Sequence, residues 1–424
     1  MKHLRKIQSL MHFFKGMLKL VVSFILYLLI FLVCLLLIYL NVRLFYQPTY
    51  TEGINKDVHY QLNYLGTMLE KGGGKLAQEK YPEGFIFLNV LYGLTWADFI
   101  AELPSTHPTR VLGLKKINWV LDELDSQYAR MNFPYALTPK RGIFYLGWKN
   151  YLLGQKLLLH APLDPPSEQY EQFKEQSKQI YTAYKTSGKT YLESYKGLAW
   201  PADNVVAIAS LRLYNQLDTP IYQNFVEEWL RQVEQHLDTT TGLIPHEVDF
   251  ETGEVIEGAK GSSQSLMLNF LLDLDTTFAR KQFEKYQKQF LDYRFGLPGI
   301  REYPKGKKGM EDVDSGPIIL EIGGAASLVG QRIMALYNQT ETAVGLRNCI
   351  ESFGVAYTSN EEKRYVLGME PIADAFIAWA NVVPIQAAEK RVGNWRWTFQ
   401  LLSLTILVFL AVICYKKKKH GFEE

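Results

Sequence analysis

The chain is poor in cysteine, with three in 424 residues. Cys34 and Cys414 lie in apolar runs and only Cys349 lies between them, so the central part cannot hold an internal disulfide. Its fold must stand on burial alone. Charge of one sign is lacking too: the net charge is +2 with 21% charged residues, which supplies no field for nucleic acid. No His-x-x-x-His or paired-Cys spacing is present, and no Gly-rich loop follows a strand. The sequence therefore calls for neither a metal nor a nucleotide cofactor.

Two long runs do lack charge altogether. Residues 20–40 are mostly Leu, Val, Ile and Phe, enough to cross a hydrocarbon layer of about 30 Å at about 1.5 Å per residue. A cleaved leader would have a shorter apolar stretch ending in small residues. The second run, 397–415, opens beside Trp395 and Trp397 and closes on Lys416, Lys417, Lys418 and Lys419. Lys2, Arg5, Lys6, Lys15 and Lys19 flank the first run on its N-terminal side. By the positive-inside rule both tails, 1–19 and 416–424, are expected in the cytoplasm, which places 47–394 outside the cell membrane.

Within 47–394 the hydrophobic pattern is helical nearly throughout, and twelve helices are expected. Six are apolar almost all round: near 84–101, 141–159, 201–217, 261–273, 314–336 and 368–383. Between them lie amphipathic helices, such as the one carrying Phe225, Val226, Trp229, Leu230 and Val233. A helix apolar on all sides must be enclosed and an amphipathic one covers it, so the alternation predicts an all-α (α/α)6 toroid with six inner and six outer helices. The sixth inner helix runs out of chain before finding a partner, and the helix near 56–70 would supply one by closing the circle. An open solenoid is the rival arrangement.

Inner helices of such a toroid share one direction, so their N-terminal segments gather at one mouth. These segments are polar and Gly-rich: they hold Glu83, Tyr145 and Trp148, Trp200, Asp203 and Asn204, Gln264, Asp312 and Asp314, and Glu370. Asp203 and Asp314 are the leading pair for general acid and base, since burial would hold one protonated. Glu83, Asp312 and Glu370 are further carboxyls of the same kind. Asp203, Ser263 and Asp314 are also placed to serve only as helix caps. His246, on a long excursion expected to fold as a hairpin over the mouth, is a candidate proton shuttle. A second excursion, 295–310, carries Arg301, Tyr303, Lys305, Lys307 and Lys308 as candidate binding groups or as a solvated charge run.

Several of these segments resemble the linalool dehydratase/isomerase family. The likeness rests on ADN at 202–204 with LYNQL at 213–217 and the Thr241-Gly242 turn, on FYLGWKN at 144–150, and on DVDSG at 312–316. It spans about residues 140–340. The resemblance implies an (α/α)6 barrel and cofactor-free lyase and isomerase chemistry on terpene alcohols, with Asp203, Tyr145 and Asp314 on matching positions. Trp148 stands where the family has a His, and Trp200 and Ala209 stand where it has cysteines.

Two functions stay open at this level. One is a membrane-anchored acid/base enzyme, of hydro-lyase or glycoside-processing type, because fold alone does not choose a substrate. The other is a non-catalytic scaffold that holds a small molecule, glycan, lipid or partner, with Trp148 and Trp200 as aromatic platforms. Neither sets an oligomeric state.

Overall fold

The structure, a computed structural model, describes residues 2–51, 53–160, 167–385 and 394–420. Among them the chain is mostly helical, with only two-stranded hairpins beside the helices. In chain order the helices are α1 (Lys2–Arg43), α2 (Lys56–Glu70), α3 (Gly73–Lys80), α4 (Gly84–Ile100), α5 (Pro108–Leu124), α6 (Gln127–Arg130), α7 (Gly142–Leu158) and α8 (Glu168–Ser187). There follow α9 (Pro201–Leu217), α10 (Gln223–Gln235), α11 (Gly261–Leu274), α12 (Thr276–Phe290), α13 (Gly324–Leu336), α14 (Thr340–Phe353), α15 (Pro371–Asn381) and α16 (Trp397–His420).

Local chemistry fixes many of these ends. Ser167 and Asp275 accept from the first-turn amides of α8 and α12, and Pro108 opens α5 behind the His107 cap. In α10 the buried residues are Val226, Trp229, Leu230 and Val233, a single stripe. In α4, α7 and α9 nearly every side chain is buried. The two patterns sort the helices into enclosed and covering ones.

Neighbour relations follow that division. Helix α4 packs on α7, α7 on α9, α9 on α11, α11 on α13, α13 on α15, and α15 on α4. Each also meets an amphipathic helix: α4 with α5, α7 with α8, α9 with α10, α11 with α12, α13 with α14, and α15 with α2. The α7–α9 contact is close because a Cβ on Gly147 would stand 2.9 Å from the Ala207 Cβ. Such small pairs bring two backbones together and extend dispersion contact along both helices.

Two expected boundaries moved. The helix expected at 314–336 begins only at Gly324, since Pro317 lacks an amide proton and Gly316, Leu320 and Glu321 take positive φ. Residues 318–323 form a hairpin instead. The helix expected at 368–383 is Pro371–Asn381.

Two helices, over Phe13–Arg43 and Asn394–Lys417, are long and apolar enough to cross a membrane. Both join the rest of the chain at one place. The Ser352 hydroxyl donates to the Leu40 carbonyl at 2.9 Å and the Asn348 amide donates to the Leu44 carbonyl at 2.9 Å. Leu40, Leu44, Leu297, Trp395 and Phe399 form a small apolar cluster there. Buried ion pairs reinforce the joint: Arg43 with Glu351, and Lys363 with Glu351 at 2.5 Å and Asp57 at 3.1 Å.

Candidate functional site

Helices α7 and α9 set the first element of the site. Asp203, in the first turn of α9, is buried, and the Trp148 indole N–H donates to its Oδ1 at 3.2 Å. It is not a helix cap, since no side chain caps α9, α11 or α13. Burial pushes its carboxyl from 3.8 up to about 7, against the Ser194 and Trp148 hydrogen bonds and with a further push from Asp314. Glu83, immediately before α4, is pushed up to about 7 by burial and then by the charge of Asp314, with a smaller push from Asp203. Asp314 is raised to about 6 by burial, then by Asp312, while Lys260 opposes. Its side chain is nonetheless 43% exposed. Open to water yet ringed by protein atoms, it sits in a recess. The charge of Asp314 thus bears on both Glu83 and Asp203, which come from two other segments of the chain.

Aromatic rings surround this set. Phe87 lies 5.3 Å from Trp148, 5.2 Å from Phe144 and 5.8 Å from Phe376, ring centre to ring centre. Tyr195 lies 5.3 Å from Trp200 and 5.5 Å from Phe144. The Tyr195 hydroxyl is buried without a hydrogen-bond partner among the described residues, and the charges of Glu83, Asp203 and Asp314 add to the burial that raises it. A buried unpaired hydroxyl carries a desolvation cost that a bound polar atom would remove.

The excursions contribute an ionic edge. The hairpin at 247–257 forms as expected. His246 just before it is buried rather than solvated, its Nε2 3.6 Å from Asp314 Oδ2 and 3.8 Å from Glu257, its Nδ1 unpartnered. Burial and then Lys260 push the imidazole down to about 3, so it is neutral near pH 7. Lys260 pairs with Asp312 at 2.5 Å and Glu257 at 2.8 Å, with its ammonium 5.8 Å from the Tyr303 ring. The Tyr303 hydroxyl donates to the Met310 carbonyl.

Other expected site residues are engaged elsewhere. Tyr145 faces away from the carboxyls, its hydroxyl donating to the Leu124 carbonyl at 2.7 Å, because α7 is enclosed on every side and this face meets α5. Asn204 bonds Tyr184 and both backbone groups of Leu192. Gln264 donates to the Ile244 carbonyl at 2.6 Å. Both hold chain segments together. Glu370 pairs with Lys80 at 2.9 Å on an exposed edge.

The sequence reading missed Tyr195, Phe87, Phe376, Lys260 and Glu302. Glu302 is fully buried, accepts from the Ser262 hydroxyl at 2.6 Å at the start of α11, and is raised by burial to about 7. Only Lys260 carried a signal, lying in the Gly-rich lead to α11. A hollow of about 280 Å³ that includes Leu69, Phe85, Asn89, Trp119 and Glu123 opens between α2, α3, α4 and α5 and shares no residue with the carboxyl set.

Chemically, the set combines a carboxyl able to keep its proton near neutrality, a second one open to water, and aromatic neighbours. Such a set suits proton transfer to and from an otherwise apolar ligand. No protein-family model matches the chain, and no curated protein matches it either.

Proposed function

We propose that this chain is a membrane-anchored acid/base enzyme of hydro-lyase or isomerase type, built as an (α/α)6 toroid and akin to linalool dehydratase/isomerase. The carrying observation is Asp203: a buried carboxyl with no cationic partner among the described residues, held in place by the Trp148 indole and raised to about 7. The sequential neighbours α4, α7, α9, α11, α13 and α15, with α15 beside α4, support the toroid. The two apolar helices and their basic flanks support anchoring with both tails in the cytoplasm.

In this reading Asp203 donates its proton to a ligand hydroxyl. The C–O bond breaks and water leaves. An ionised carboxylate, Asp314 or Glu83, takes a proton from the neighbouring carbon, and the C–H electrons form the new double bond. Asp203 ends deprotonated and its partner protonated, and exchange with solvent through the Asp314 recess resets both. Phe87, Trp148 and Phe376 would face the hydrocarbon part of the ligand.

The test is turnover by the full-length protein in lipid nanodiscs, offered tertiary and allylic terpenoid alcohols and, separately, envelope oligosaccharides. Alkene or isomer formation that falls at least about 100-fold in Asp203→Asn supports the assignment. Alkene formation untouched by that change removes it. Release of sugars instead turns the reading to glycoside hydrolysis, where carboxyls about 5 to 5.5 Å apart would retain configuration and wider pairs invert it. Ligand retention without turnover would make the domain a binding scaffold.

A further inference from the structure

The joint between the apolar helices and the helical domain gives the carboxyl-bearing end a direction. As α1 advances from Leu40 to Leu44 its partners on α14 recede from Ser352 to Asn348, so α14 runs antiparallel to α1. Helix α13 precedes α14 by a three-residue connection, Tyr337 to Gln339, and packs along it, which makes the two antiparallel in turn. The start of α13 therefore lies on the side from which α1 arrives. Asp312 and Asp314 lie on that side, with Lys260 at the start of α11 paired to Asp312, and the charge of Asp314 reaches Glu83 and Asp203 at the starts of α4 and α9. Phe353, ending α14, has its ring 6.1 Å from Phe399 of α16. The tip of the 291–300 hairpin reaches the same level, since a Cβ on Gly296 would touch the Trp395 carbonyl and Thr398.

The turns at this end are unusual. Phe295, Leu320 and Leu367 have φ of 53°, 51° and 58°, a backbone region that favours Gly or Asn and that bulky residues rarely hold. Each is also solvent-exposed, at 51%, 56% and 67%, as is Ile319 at 69%. A large apolar side chain gains nothing in such a turn if it faces water. The two hairpin tips are fixed to each other: Arg294 donates to the Leu320 carbonyl at 2.8 Å and pairs with Glu321 at 2.8 Å, and Arg301 also pairs with Glu321 at 2.8 Å. Arg301 in turn donates to the Tyr303 carbonyl, beside Lys260 and Asp312. The apolar tips are thus braced to the ionic edge of the site. Arg396, over the rings of Phe45 and Trp395 at 4.5 and 4.8 Å, sits at the start of α16, where headgroups would lie.

We propose that the carboxyl-bearing end of the domain rests on the lipid surface, with Phe295, Ile319, Leu320 and Leu367 inserted at the headgroup level. The occupant of this apolar rim is the leaflet that α1 and α16 enter, because the rim is continuous with both. The inference rests on those helices crossing a bilayer and not on the chemistry proposed for Asp203. One consequence concerns the ligand: a mouth seated on lipid receives molecules that partition into the leaflet.

The experiment uses full-length protein in phosphatidylcholine/phosphatidylglycerol vesicles that contain lipids with nitroxide-bearing acyl chains. With Cys34, Cys349 and Cys414 replaced, an environment-sensitive fluorophore is attached in turn at Phe295→Cys, Leu320→Cys, Leu32→Cys within α1, and Ile221→Cys in the loop between α9 and α10 at the opposite end. The expected result is at least twofold quenching at 295, 320 and 32, and none at 221. Quenching at 32 with 295 and 320 no more quenched than 221 overturns the docking while leaving the anchors intact. An unquenched probe at 32 removes the anchors, and the docking with them.

Discussion

Buried carboxyls occur in two regions of this molecule and behave in opposite ways. Where α1 meets the domain, Glu351 is fully buried but receives Lys363, Arg43 and the Tyr365 hydroxyl, and nearby Asp57 also binds Lys363. Burial alone would raise Asp57, yet Lys363 and the Thr49 amide outweigh it and hold the carboxyl below its ordinary value. At the recess Asp203 is buried with an indole and a hydroxyl for company and no cation, so burial wins and its value climbs to about 7. The difference is the counter-ion. A paired buried carboxylate is a cross-link between distant segments, whereas an unpaired one is a proton store, expensive to ionise and therefore suited to donate.

The largest effect that would test this contrast is at the cross-link. Lys363→Met leaves Glu351 and Asp57 short of a cation in a closed site, and breaking a buried pair from one side costs about 3 to 5 kcal/mol. Denaturant unfolding of the full-length protein should lose that much stability. A loss under about 1 kcal/mol would mean that the cluster is solvated and is no cross-link. Next comes Asp203→Asn at the proton store. Under the proposed chemistry it should lower turnover about 100-fold or more while leaving the fold as stable as the wild type, and more stable at pH 8, because the amide needs no proton. A variant equally unstable at pH 8 would place Asp203 among the structural carboxyls.

Opposite shifts also predict opposite pH dependences. Asp203, raised to about 7, stabilises the fold fully below the ordinary value of 3.8 and loses that contribution as pH rises through its folded-state value. At about 1.4 kcal/mol per unit this amounts to at most about 4 kcal/mol. Asp374, raised by burial to about 8, acts in the same sense. Asp57, being lowered, contributes above 3.8 and its contribution is lost as pH falls through its still lower folded value. The raised carboxyls thus lower wild-type stability between about pH 4 and pH 8, His246, held at about 3, opposes them below its ordinary 6.5, and the Asp203→Asn variant should decline less than the wild type. Parallel curves for the two proteins would contradict the assignment of that carboxyl.

Much of the helical framework was legible because burial writes a period into sequence. The enclosed helix α4 and the striped helix α10 differ in pattern in the sequence itself, and the two apolar runs with their Lys and Arg flanks mark the candidate membrane helices. The burial of Asp203 in the first turn of α9 was legible as well, since a carboxyl that opens an apolar helix is out of place there. What failed has a common cause. In α7 every face is buried, so periodicity cannot tell that Tyr145 turns to Leu124 while Trp148 turns to Asp203. Phe87 and Phe376 come from segments far from Asp203 in the chain, and Arg43 and Glu351 lie 308 residues apart. Only the tertiary fold brings such groups together. The late start of α13 shows local rules prevailing over pattern: Ile318, Ile319, Leu320 and Ile322 are apolar, but Pro317 and the positive φ at Leu320 and Glu321 stop the helix.

The smallest effect separates the recess from its ionic edge. Lys260 does not touch Asp203, and its ammonium is held by Asp312 and Glu257, yet its charge lowers Asp314 against burial and the push of Asp312. Removing it in Lys260→Met should raise Asp314 above its present value of about 6, so that a larger fraction is protonated at pH 6 and fewer molecules hold the ionised base. In the pH profile of kcat/KM, the acid limb should then move upward while the limb set by Asp203 stays near pH 7, narrowing the bell. A shift of about one unit or less is the expected scale for a screened charge near solvent. Lys260→Arg, which keeps the charge, should restore the limb. An acid limb that ignores both substitutions would show that the base is not Asp314, and Glu83, coupled to the same two aspartates, would take its place.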